Sequence, residues 1–301
     1  MSLSVAPPQR RVISIPKGAT MKLYFAAAMI LFPLIYRQLQ NIIHQLSAQI
    51  IAAISETPEI ALDTYRRNLA LLNILPGVVY LLLATGFAIL IRHTKYHIPE
   101  QFELKCPPQT LFMTYLCGIT LFVTTVFALM FIPQTQTAQY EYADHMAILN
   151  QSPWLLRFIF TVIMAPIVEE VAFRAGMFAN AKKIMPFWAA LVLQALAFGF
   201  IHLDFSRDYW NYQQGLYALA VGLILGVIYH RTHSLTAVTI VHMSFNASNY
   251  YITPILIAML TNQGLRSGMM IVMLLLLASI ALSWLLISRM RRVEHNPAVT
   301  H

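Results

Sequence analysis

The chain has 301 residues, 58% of them hydrophobic and 11% charged, and a mean hydropathy of +0.63. A soluble domain is about half apolar and about a quarter charged, so this composition excludes a disordered chain, a secreted disulfide scaffold and an ordinary cytosolic enzyme. The net charge of +8 has no basic, aromatic-interleaved stretch behind it that would bind nucleic acid. In so apolar a chain, basic residues mark the cytoplasmic side of a multi-pass protein.

In chain order, residues 1–19 read as a cytoplasmic tail carrying Arg10, Arg11 and Lys17. A first span, 20–38, crosses if Lys22 and Arg37 snorkel to the two surfaces. No small-residue cleavage site directly follows it, so it reads as a membrane helix and not as a signal peptide. Residues 39–54 place Ile42, Ile43, Leu46, Ile50 and Ile54 on one face. They are either an interfacial amphipathic helix or a continuation of the first helix. Further apolar runs at 69–91, 111–132, 154–180, 186–203, 213–229, 235–258 and 269–288 are each long enough for a hydrocarbon core of about 30 Å. The expected fold is an all-α polytopic bundle of about eight spans. Its parts are the tail 1–19, motif-free membrane helices over 20–153, a catalytic core over 154–258, and a last helix with a basic tail over 259–301.

Charge orients this bundle. With both termini cytoplasmic, the inside segments hold thirteen of the 20 Lys and Arg and the outside segments hold five, as the positive-inside rule requires. Trp154, Trp188, Trp210 and Trp284 fall at or near predicted helix ends, where aromatic belts sit. Cys106 and Cys117 suggest neither a disulfide framework nor a metal knuckle. The C-terminal residues carry no prenylation box, so the chain is not expected to be a lipidated product itself.

Two adjacent acidic residues, Glu169 and Glu170, fall inside a predicted span, with Arg174 one turn on. His202 closes another run, and His242 and Asn246 lie in a third. A charge at mid-membrane costs at least about 2.5 kcal/mol even on the lenient insertion scale, so such groups persist only when paired or used. Five ionisable groups on three helices therefore predict one shared polar cluster inside the bundle. Glu170 and Arg174 are spaced to form an ion pair. Glu169 points about 100° away from Glu170 and is free for a different task, such as taking a proton from water. His202 is placed to share that water or to bind a metal. His242 and Asn246, four apart, share a face and suit a developing oxyanion. Pro166 disturbs the helix just ahead of the glutamates.

These residues together resemble the CPBP family of intramembrane proteases, the CaaX-processing and bacteriocin-processing group also called Abi. Its motifs Glu-Glu-x-x-x-Arg, Phe-x-x-x-His and His-x-x-x-Asn match Glu169-Glu170-x-x-x-Arg174, Phe198-x-x-x-His202 and His242-x-x-x-Asn246, in order, across residues 154–258. The resemblance implies hydrolysis of a peptide bond in a membrane-embedded or lipidated substrate, a prenylated CaaX-like protein or a leader-bearing peptide. It gives water activation to Glu169 and His202, the oxyanion site to His242 and Asn246, and support to Glu170 and Arg174. It leaves open a metalloprotease, with zinc or another divalent ion on Glu169, His202 and His242, or a metal-free glutamate protease. It implies a multi-pass protein of the bacterial plasma membrane, with the substrate arriving from the cytoplasm. A non-proteolytic immunity or scaffold protein and a proton-coupled transporter are the competing expectations. The absence of a second Glu-Glu in the first half argues against the duplicated halves of a transporter.

One geometric tension accompanies this reading. With straight, upright helices, His202 would lie about 12 Å nearer the outer end than Glu169, and His242 about 6 Å nearer the inner end, at 1.5 Å per residue. Tilt, the Pro166 kink or different helix ends must absorb the difference.

Overall fold

The structure is a computed structural model. It describes residues 17–92, 102–132, 147–203, 212–261 and 265–290. The expected tails therefore lie largely outside the described residues, as does Trp210. All regular structure among the described residues is helical, and no strand occurs there.

Helix α1 runs without a break over Lys17–Ile54. Residues 39–54 are thus a continuation of the first helix, not a separate interfacial one. Its 38 residues span about 57 Å, far more than a bilayer core, so one end projects beyond it. There a short helix, α2 (Pro58–Arg67), folds back. The Thr57 hydroxyl accepts from the Ile60 amide at 3.3 Å to cap it, and Pro58 takes the first turn, where its missing N–H costs nothing. The His44 ring ties this end together: it meets the Tyr65 hydroxyl of α2 at 2.7 Å and donates from Nε2 to Asn73 Oδ1 at 3.2 Å. Asn73 belongs to α3 (Leu69–Arg92), which packs along α1.

The remaining helices are α4 (Pro108–Leu129), α5 (residues 154–181), α6 (Phe187–Ile201), α7 (Tyr212–Thr232), α8 (Leu235–Thr261) and α9 (Leu265–Arg289). Helix α4 is the hub of one side and packs against both α8 and α9. Hydroxyls hold it to α9 one turn apart: Thr124 Oγ1 donates to Ser279 Oγ at 2.8 Å, and Ser283 Oγ donates to Thr120 Oγ1 at 2.7 Å. Between membrane helices, where lipid supplies no hydrophobic drive, such bonds and close backbone approach replace it. Helices α6 and α7 use both devices. Gln194, wholly buried, donates from Nε2 to the Gly222 carbonyl at 2.9 Å. A Cβ on Gly199 would stand 2.8 Å from the Gly215 carbonyl oxygen.

Five helices, α1, α3, α4, α7 and α9, are long and apolar enough to cross a membrane. The expectation was about eight. The helices that fall short are α5, α6 and α8, and each carries one of the three polar motifs. Their ionisable groups and the brevity of α6, 15 residues, are compatible with a membrane because neighbouring helices shield their polar faces. Trp154, Trp188, Trp284, Met269, Met270 and Met273 face outward. His230 departs from the expected solvated loop. It lies in the last turn of α7, with its ring 4.5 Å from that of Phe187 and its Nδ1 3.3 Å from Lys182 Nζ.

The α4–α8 crossing is the tightest in the bundle. A Cβ at Gly118 would meet Ser244 Oγ at 1.8 Å and the Val241 carbonyl oxygen at 2.3 Å, whereas one at Gly86 meets nothing within 4 Å. Gly118→Ala should therefore destabilise the protein by about 1–3 kcal/mol, read as a lower thermal midpoint in detergent. Gly86→Ala should leave that midpoint unchanged or raise it.

Candidate active site

Helix α5 is irregular where the first motif sits. It is α-helical over Trp154–Phe158 and Ala165–Glu170, and π-helical over Ile159–Met164 and Val171–Phe178. The cause of the first distortion is legible. The Ala165 amide bonds five residues back, to Phe160. The next amide in that register would belong to Pro166, which has none. Thr161 is left with a carbonyl lacking its helical donor, and the Asn246 side chain supplies one at 2.8 Å. The Thr161 hydroxyl also lies 2.9 Å from the Tyr250 hydroxyl, one turn further along α8. Tyr250 therefore ties α8 to α5, with its ring also packed on that of Phe158 at 5.4 Å.

The wide turns present the two glutamates to different neighbours. Glu170 is fully buried and divides its carboxylate. Its Oε2 pairs with Arg174 Nε at 2.9 Å, and its Oε1 accepts from His242 Nδ1 at 2.8 Å. Arg174, also fully buried, has its guanidinium 4.6 Å from the centroid of the Phe198 ring. Its two terminal nitrogens make no hydrogen bond among the described residues, so Glu170 and the ring carry the cation. The same ring packs against the imidazoles of His202, at 4.7 Å, and His242, at 5.9 Å. The phenylalanine of the second motif thus spaces three polar groups from one centre.

The histidine bonds define which ring atoms face the site. The His202 Nδ1 lies 2.7 Å from the Phe198 carbonyl oxygen. A carbonyl only accepts, so Nδ1 carries the hydrogen and Nε2 keeps its lone pair. His242 donates from Nδ1 to Glu170, and its Nε2 faces Glu169 Oε2 at 3.8 Å. That gap is too long for a direct hydrogen bond. It places two acceptor atoms where one water could donate to both.

Glu169, His202, His242 and Asn246 line a common cavity of about 220 Å³, with Thr161, Phe160, Tyr217 and Phe245 in its wall. Glu170 and Arg174 stand behind it. All six expected site residues thus come together, and the expected disparity in depth is absent. Helix α6 ends at the cavity, with His202 as its C-cap. Two details differ from the expected oxyanion pair. One N–H of Asn246 is already spent on Thr161, and the His242 nitrogen facing the cavity carries a hydrogen only when the ring is protonated. Thr161 is a cavity residue that motif reading missed. The proline five residues after Thr161 was the available signal, because a missing amide demands a substitute donor.

The residues do not form a ready metal site. Among the described residues no group of three His, Cys, Asp or Glu side chains is placed to hold an ion, although Glu169 and His242 approach each other.

Residues 151–248 match the family of Rce1-like proteins, type II CAAX prenyl endopeptidases. This part of the chain is similar to that family, over about a third of the sequence. The matched stretch contains all three motifs, and it agrees with the resemblance to the CPBP group. No curated protein and no solved structure matches the chain. The Rce1-like segment begins just before α5 and ends within α8, so every residue of the cavity described above belongs to it.

The Glu170–Arg174 pair yields a stability prediction. Arg174→Met should cost about 3–5 kcal/mol, because it strands a buried carboxylate. Glu170→Gln together with Arg174→Met should recover part of that loss. Thermal unfolding of the variants in detergent measures both; equal midpoints for wild type and Arg174→Met would refute the pairing.

Proposed function

We propose that the chain is an intramembrane endopeptidase of the CPBP type, acting on a membrane-embedded or lipidated polypeptide in a multi-pass membrane setting. The bacterial plasma membrane is the setting this reading favours. The observation that carries it is the meeting of Glu169, His242 and His202 on one cavity, with the Glu169 oxygen and the His242 nitrogen 3.8 Å apart. The family match supports peptide hydrolysis as the chemistry.

In the proposed reaction a water between Glu169 and the two histidines loses a proton to the Glu169 carboxylate as its oxygen attacks the carbonyl carbon of the scissile bond. The carbonyl π electrons move to oxygen, and a tetrahedral intermediate forms. The second N–H of Asn246 stabilises that oxyanion. Collapse breaks the C–N bond, and Glu169 returns its proton to the departing amine. Glu170 acts through His242 as a positioning residue. Its carboxylate fixes the ring so that Nε2 points at the water, while Arg174 holds that carboxylate in place at 2.9 Å. The water's second hydrogen goes to one histidine Nε2 at a time, that of His242 or that of His202.

The donor arrangement supports the metal-free form of this reaction. A metal on Glu169, His202 and His242 would need a third side chain to close on the pair that already approaches.

Glu169→Ala and His202→Ala should each abolish cleavage while the protein still accumulates. Peptide termini in the membrane proteome of cells carrying wild type or Glu169→Ala test this. A terminus that depends on Glu169 identifies a substrate. Identical termini at equal protein levels would overturn proteolysis in favour of an immunity, scaffold or transport role. Cleavage by the purified protein should also survive 1,10-phenanthroline. Loss of activity that added zinc restores would overturn the metal-free form and keep the protease.

A further inference from the structure

Arg37 is an exposed cation in the middle of α1, and among the described residues it makes neither a hydrogen bond nor an ion pair. Side-chain contacts fix its height in the bundle. Helix α1 runs antiparallel to α3: His44 meets Asn73, the rings of Tyr36 and Tyr80 lie 5.4 Å apart, and Phe32 packs on Phe87 at 5.7 Å. Helix α3 runs parallel to α5: the Ala70 amide bonds Ser152, just ahead of α5, and a Cβ on Gly77 would stand 2.9 Å from Met164 and 3.3 Å from Val168. Tyr80 lies about one turn past Gly77, and Glu169 follows Val168, so Tyr36 and Arg37 stand within about a turn of Glu169 in height. The contact between α1 and α5 agrees. A Cβ on Gly176 would run into the Phe32 ring. Arg37 is five residues from Phe32 and Glu169 seven from Gly176, in antiparallel helices, a mismatch of about 3 Å at 1.5 Å per residue.

Snorkelling, the role the sequence suggests for Arg37, needs a surface within reach. Helix α5 continues for about 18 Å past Glu169 and for about 22 Å before it, further than an arginine stem carries its head. A cation at that height is costly unless it faces a partner or a polar cavity. The polar space at this height is the catalytic cavity, and Arg37 is close enough for its charge to act on His202. Its own turn of α1 is polar as well: Gln40 donates to the Tyr36 hydroxyl at 3.0 Å, and Tyr36 feels the charge of Glu169. Arg37 is not a counter-ion within the site. The charged groups that act on Glu169 are His242, Glu170 and Arg174, and Glu170 is shared between Arg174 and His242. A cation beside the cavity with no anion of its own is available to an incoming one. Lipid phosphates stay in the headgroup layers, whereas a polypeptide that places its scissile bond at Glu169 brings its own carboxylates to this height.

We infer that Arg37 is a specificity-determining residue that binds a carboxylate of the substrate close to the scissile bond. The planar guanidinium takes a carboxylate through two parallel N–H···O bonds. That carboxylate is the substrate's C-terminus or an Asp or Glu side chain, which present the same pair of oxygens. The inference rests on the proteolytic reading for the reaction, and on helix register for the place of Arg37.

The test compares wild type, Arg37→Gln and Glu169→Ala, each purified as the full chain in detergent, on a proteome-derived peptide mixture. Peptides whose cleavage requires Glu169 are then resynthesised in three forms: unchanged, with an amidated C-terminus, and with Asn or Gln replacing each Asp or Glu near the cut. Wild type should cut one neutralised form at least tenfold less efficiently than the unchanged peptide, mainly through KM, and that form identifies the carboxylate. Arg37→Gln should lose at least tenfold in kcat/KM on the unchanged peptide and should no longer distinguish the forms. Wild type that cuts all three forms alike overturns the inference without recourse to a variant. Full efficiency in Arg37→Gln, or an equal loss on every form, overturns it and keeps the protease. A loss that follows added anionic phospholipid, whatever the charge of the peptide, makes Arg37 a lipid contact and overturns it as well. If no cleavage requires Glu169, the proteolytic reading itself fails, and the inference falls with it.

Discussion

The site depends on a buried ion pair that no water reaches. Glu170 and Arg174, both fully buried, sit one turn apart on α5 at 2.9 Å. Two desolvated charges in so apolar a setting are expensive, and they persist only with close geometry and further polar contacts. Glu170 gains its further contact from His242, and Arg174 gains its own from the face of Phe198. Those compensations are also what arrange the site. The bond that relieves Glu170 orients the His242 ring toward Glu169, and the ring that receives Arg174 packs His202 and His242. Stabilising the charge and positioning the chemistry are one set of contacts, so neither can be altered alone.

Irregular backbone does the remaining positioning. A regular α-helix through Pro166 would leave an unsatisfied carbonyl in an apolar environment, where the cost is several kcal/mol, roughly. The π turn moves that carbonyl to Thr161, and Asn246 on α8 satisfies it. The polar repair doubles as a crosslink: it fixes α5 against α8 two turns before Glu169, and the Thr161–Tyr250 contact reinforces it. Asn246 is thereby committed in part to structure, which constrains any role it has toward an oxyanion.

The membership of the cluster was legible from sequence because its cost is. Glu169, Glu170, Arg174, His202 and His242 are conspicuous in apolar runs, and their spacings already implied one cluster. The ion pair followed from the four-residue interval, and the cross-helix bond of Gln194 from a lone amide in an apolar helix. What could not be read was where helices begin and end in space. Treating each apolar run as a full crossing separated His202 from Glu169 by about 12 Å, at 1.5 Å per residue. The structure removes that separation because α6, with only 15 residues, ends at the cavity. Similarly, hydropathy could not show whether residues 39–54 continued α1, because an amphipathic face serves an interfacial helix and a long one equally. The part played by Thr161 needed the register of a π turn, which no periodicity in the sequence announces.

The three helices that fall short as membrane spans, α6 by its length and α5 and α8 by their polar groups, are the three that carry the polar motifs. A helix facing lipid must be apolar around its outer surface. A helix that carries carboxylates and imidazoles can instead meet the membrane requirement through its neighbours. Here α1 and α3 pack on α5, α7 packs on α6, and α4 packs on α8. The neighbours cover the polar faces, while α6 and α8 keep apolar outer faces through Trp188, Leu196, Phe200, Ile255 and Ile257.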